Sequence, residues 1–60
     1  FYPIIVNMAK SDSKSYVRAA ALGILSQAYK TKNNKTVYTE ATKDKSPMVE
    51  ETAKQLLNTR

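Results

Sequence analysis

The sequence matches itself when it is shifted by 32 residues, and this repeat constrains the fold more than any other feature. Eight pairs of positions coincide, and five of these pairs are identical. The pairs are Ile5/Val37, Val6/Tyr38, Ala9/Ala41, Asp12/Asp44, Val17/Val49, Ala21/Ala53, Ile24/Leu56 and Leu25/Leu57. Because the matches fall at helical spacings, we predict two copies of one helical unit, repeat 1 over about residues 1–30 and repeat 2 over about 33–60.

The second half of each repeat predicts an amphipathic helix. Apolar and small residues recur there at steps of three and four, which is the period of one helix face. The two predicted stripes are Val17, Ala20, Ala21, Ile24, Leu25 and Ala28, and Val49, Thr52, Ala53, Leu56 and Leu57. Ser46 followed by Pro47 predicts the start of the later helix, since Ser can cap it and Pro is tolerated in its first turn.

The first halves predict two shorter helices. In residues 3–10 one face carries the apolar residues Ile4, Ile5, Met8 and Ala9, and residues 35–43 carry fewer apolar residues. Between the repeats, residues 31–34 are polar and end in two Asn, which suits a connector. The predicted fold is therefore all-α, with two stacked helical hairpins (four helices) that bury their apolar stripes against each other, as part of a HEAT-like α-superhelix.

Size and composition exclude several classes of protein. A chain of 60 residues buries only about 60% of its unfolded surface, so either it packs unusually well or, as we expect, it is a fragment of a larger protein. It has no Cys and no His, and therefore lacks the usual zinc ligands and the commonest general base. We predict no catalytic, cofactor-binding or metal-binding residue. No apolar run approaches the roughly 20 residues that cross a bilayer, and the composition leaves the compartment open.

One group of residues resembles the HEAT-type helical repeat. These residues are Asp12, Val17, Arg18, Ala21 and Leu25. The resemblance implies a bridge between neighbouring repeats made by the Asp and the Arg. Repeat 2 departs from it, with Glu50 at the Arg position and with Lys54 and Gln55 where repeat 1 has Leu22 and Gly23, which implies a terminal repeat.

The segment from Asp12 to Leu25 also resembles a helix in the C-terminal helical domain of aminopeptidase N-like zinc metallopeptidases. That resemblance implies a parent enzyme whose zinc site, a His-Glu-x-x-His helix, lies outside this chain. The first hypothesis is thus a non-catalytic repeat in a structural or interaction role, as the C-terminal part of a zinc aminopeptidase, with the rest of the parent chain as its partner. The alternative is an independent HEAT-like adaptor that binds another protein.

A third hypothesis is a basic module that binds acidic ligands or nucleic acid, because the net charge is +5. We predict lysines at two opposite ends of the hairpins, with Lys10, Lys14, Lys43 and Lys45 at the turns within the hairpins and Lys30, Lys32 and Lys35 at the connector. Nucleic acid requires one continuous basic surface, so this arrangement favours solvated turns. Two further motifs favour structural roles. Ser11 and Lys14 have the spacing of some acyl-transfer enzymes but no companion motif. Gly23 indicates either a close helix contact or simple tolerance.

Overall fold

A computed structural model describes residues 1–58. It contains four helices, α1 (Tyr2–Ser11), α2 (Ser15–Ala28), α3 (Lys35–Ala41) and α4 (Pro47–Asn58). No strand occurs within residues 1–58, and the predicted all-α class is confirmed. Helices α2 and α4 begin 32 residues apart, at the same offset as the sequence matches.

The turns before α2 and α4 have the same local geometry. Oδ1 of Asp12 accepts a hydrogen bond from the main-chain N–H of Lys14 at 2.9 Å, and Oδ1 of Asp44 accepts one from the N–H of Ser46 at the same distance. An Asp side chain that bonds the backbone two residues on stabilises such a turn. The carbonyl oxygen of Ser46 accepts a hydrogen bond from the N–H of Glu50, which closes the first turn of α4.

The four helices pack as two hairpins, hairpin 1 (α1 and α2) and hairpin 2 (α3 and α4). The hairpins meet through α2 against α4 and, less extensively, through α1 against α3. The four-helix bundle is flat, with extents of 27 × 24 × 15 Å. Its core consists of Ala9, Ala21, Leu22, Leu25, Tyr38, Ala41, Val49 and Ala53. Half of these residues are Ala, which lets helices approach closely.

The buried stripe of α2 differs from the predicted one. Ala20 and Ala28 are exposed and Ile24 is 41% exposed, whereas Arg18 and Leu22 are buried. The reason is that α2 packs against both α1 and α4, so that its buried face is centred on the side of the helix that carries Leu22. The close-contact interpretation of Gly23 is wrong, because a Cβ added there would meet nothing within 4 Å.

Candidate functional site

Arg18 joins the two hairpins at the end of the bundle that carries the α1–α2 and α3–α4 turns, here called the turn rim. Its Nε lies 2.8 Å from Oδ2 of Asp44 and its Nη2 lies 2.9 Å from Oδ1 of the same residue. Its Nη1 donates to the carbonyl oxygen of Asp12 at 2.6 Å. Arg18 is only 7% exposed, so this bidentate pair lies largely out of water. It links helix α2 of hairpin 1 directly to the turn of hairpin 2.

The Arg18–Asp44 pair has the electrostatics of a structural link. Hydrogen bonds from Arg18 hold the pKa of the Asp44 carboxyl below its ordinary value, although burial opposes this shift. The same bonds raise the pKa of Arg18. Both groups are therefore charged at neutral pH. A carboxylate held by a guanidinium in this way is not available to take up or release protons in catalysis.

Asn34 ties together three segments at the opposite end of the bundle, here called the connector rim. Its Nδ2 donates to the carbonyl oxygens of Leu25 at 3.2 Å and Tyr29 at 3.1 Å. Its Oδ1 accepts a hydrogen bond from the Tyr2 hydroxyl at 2.7 Å. Asn34 is buried, and these bonds satisfy its amide while holding the start of α1, the end of α2 and the start of α3 in place. From the sequence alone, Asn34 is predicted only as part of a connector.

A groove with a volume of about 630 Å³ lies beside Asn34 at the connector rim. Lys30, Lys32 and Lys35 line it, together with apolar side chains from hairpin 2. Of the other predicted lysines, Lys10 and Lys45 line a separate depression at the turn rim, next to the Arg18–Asp44 pair. The basic side chains therefore surround two different depressions.

Several apolar side chains of hairpin 1 are exposed on its side facing away from hairpin 2. Tyr2 reaches Asn34 and Ser26 lines the connector-rim groove, so both residues lie toward hairpin 2. Ile4 lies two residues after Tyr2 and Ile24 lies two residues before Ser26, so each Ile is about 160° around its helix from that residue. Ile4 is 59% exposed, and Phe1, one turn before it, is 92% exposed. We call this surface, formed by Phe1, Ile4 and Ile24, the apolar end face.

The opposite end of the stack, on hairpin 2, is charged. Glu50 and Lys54 of α4 occupy the repeat positions of Arg18 and Leu22, which form the buried face of α2. Nζ of Lys54 and Oε2 of Glu50 form an ion pair at 3.0 Å that remains partly exposed. The two ends of the stack therefore differ, with apolar side chains at one end and an ion pair at the other.

The structure does not bring Ser11 and Lys14, or the acidic residues, together in a catalytic or metal-binding arrangement. No hydrogen bond or ion pair joins Ser11 to Lys14 in the described part of the chain. Within residues 1–58, no three Asp or Glu side chains come close enough to hold a metal ion. The same residues contain no helix with the length and apolar character needed to cross a membrane.

Comparisons of this chain with protein-family models, with curated proteins and with solved structures find no match. The HEAT-type and aminopeptidase resemblances therefore stay predictions from the sequence.

Proposed function

We propose that this chain is a non-catalytic, HEAT-like helical-repeat unit with a structural role in a larger protein. In that protein, its apolar end face packs against a neighbouring element. The observation that carries this proposal is the difference between the two ends of the stack. Exposed Ile4 and Phe1 are costly to leave in water, whereas the Glu50–Lys54 pair is well solvated. Exposed apolar side chains on one side of a protein are typical of an interface.

The ion pair between the repeats supports a stacked-repeat role. Arg18 of repeat 1 bonds Asp44 of repeat 2 in the way that the HEAT resemblance implies for neighbouring repeats. The resemblance of residues 12–25 to the C-terminal domain of aminopeptidase N-like enzymes favours such an enzyme as the larger protein. The gene sequence on both sides of this segment tests the parentage. A His-Glu-x-x-His helix upstream supports it, and further 32-residue repeats alone support the adaptor.

The apolar end face is expected to make the isolated chain self-associate. Replacing Ile4 and Ile24 by Glu should weaken that association more than tenfold, because each buried Ile contributes roughly 1.5–3 kcal/mol. Sedimentation equilibrium at several concentrations measures the effect. Met48→Glu is the matched control, since Met48 is 52% exposed but belongs to hairpin 2. A native chain that stays monomeric, or equal effects of the control, would contradict the proposal.

The isolated chain is expected neither to bind zinc with micromolar affinity nor to cleave an aminopeptidase substrate. A zinc peptidase needs three protein ligands, an open metal position and a general base. This chain has no His or Cys, and its acidic residues number five. Titration calorimetry with zinc and a chromogenic substrate assay check this expectation, and turnover that survives repurification would show it to be wrong.

A further inference from the structure

The groove at the connector rim combines positive charge with apolar surface. Lys30, Lys32 and Lys35 contribute three ammonium groups, the first two from the segment between α2 and α3 and the third from the start of α3. No Asp or Glu of residues 1–58 lines this groove, and none of them forms an ion pair with these three lysines. By contrast, the lysines of the two exposed ion pairs, Lys10 and Lys54, have acidic partners. The groove is thus locally cationic and its charge is uncompensated.

Apolar side chains of hairpin 2 lie between these charges. Leu56 and Leu57 of α4 line the groove and are only partly buried, so apolar surface is available there. Tyr38 of α3 also lines it but is 8% exposed. Burial raises the pKa of the Tyr38 phenol, which therefore stays neutral. A volume of about 630 Å³ is large enough for several side chains of a bound ligand.

We infer that the connector-rim groove is a binding site for an acidic peptide segment, whose carboxylates pair with Lys30, Lys32 and Lys35 while its apolar side chains contact Leu56 and Leu57. This site is distinct from the apolar end face and does not depend on the structural role proposed above. The net charge of +5 attracts such a ligand at long range. The bonds made by Asn34 hold the segments that carry the lysines in place before a ligand arrives.

The character of the groove favours a peptide over a single-stranded nucleic acid. Nucleic-acid grooves present exposed aromatic rings on which bases stack. Tyr38 is too buried to offer its ring, and the Tyr2 ring is occupied, with Nζ of Lys32 at 5.3 Å from its centre and the Tyr29 ring at 5.2 Å. Two Leu side chains instead suit the apolar residues of an amphipathic peptide.

Fluorescence anisotropy with a labelled peptide of alternating Glu and Leu tests this proposal. The groove variant replaces Lys30, Lys32 and Lys35 by Gln. The matched control replaces Lys14, Lys43 and Lys45, which are exposed near the turn rim, and removes the same amount of charge. We expect the groove variant to bind about tenfold more weakly and the control to bind within about twofold of the native chain, since each exposed charge pair contributes modestly.

Further measurements distinguish binding in the groove from general attraction between opposite charges. Leu57→Asn should weaken binding of the Glu/Leu peptide, while a peptide of Glu alone should bind the native chain more weakly than the mixed one. Circular dichroism verifies that each variant is folded. Equal losses in the two lysine variants, tighter binding of oligothymidylate than of the peptide, or no peptide binding by the native chain at low salt would each overturn the proposal.

Discussion

Replacing Leu22 or Leu25 by Ala is expected to remove a large share of the free energy of unfolding. Both side chains are completely buried in the core between the helices. Truncating a buried Leu costs about 2–5 kcal/mol through lost burial and the cavity left behind. At about 0.05–0.15 kcal/mol per residue, a chain of this length has a total stability of only about 3–9 kcal/mol. Urea titration followed by circular dichroism at the helical band measures the loss.

Ile24→Ala is the matched control for these two variants. Ile24 lies on the same helix, directly beside Leu25 in the sequence, but is 41% exposed. We expect its truncation to lower the unfolding free energy by less than about 1 kcal/mol, as is usual for exposed positions. Because the apolar period alone placed Ile24 and Leu25 in the same core stripe, equal losses would favour that stripe over the structure.

The helices were predictable because their signals are local. The apolar period identified α2 and α4, and Pro47 stands at the first residue of α4 as the sequence indicated. The period could not say which side of α2 meets a second neighbour. Contact with α4 buries Leu22 and leaves Ile24 partly exposed, and this contact depends on how the hairpins stack.

The polar residues that organise the two rims were harder to predict. Asn34 is buried because Tyr2, 32 residues earlier, reaches its side chain, and no local pattern marks such a pairing. The three groove lysines were interpreted as solvated residues at a turn. Only the fold brings Leu56 and Leu57 beside them and makes a groove of mixed character. Arg18 was singled out through the HEAT resemblance, and its partner Asp44 is the repeat counterpart of Asp12.

Arg18→Met and Asp44→Asn are each expected to destabilise the fold strongly. Removing one partner leaves the other charge largely buried without compensation, which costs more than the pair itself contributes. The double variant should therefore be more stable than the sum of the two single losses predicts, and urea midpoints of all four proteins measure this coupling. Glu40→Gln removes the exposed pair with Lys10, whose atoms are 3.7 Å apart, and should have little effect. Additive losses at residues 18 and 44 would contradict the pairing.

The same pair predicts how stability depends on pH. Hydrogen bonds from Arg18 lower the pKa of Asp44 in the folded chain, while the unfolded chain returns it to about 4. A carboxyl with a lowered folded pKa stabilises the fold fully above its unfolded pKa, and this stabilisation is lost as the pH falls through the folded value. The native chain should thus lose stability as the pH falls below about 4, whereas Asp44→Asn should lose less. Urea midpoints at neutral and acidic pH measure the difference. Glu40→Gln should keep the native profile, and parallel profiles for the native chain and Asp44→Asn would show that this carboxyl does not act through Arg18.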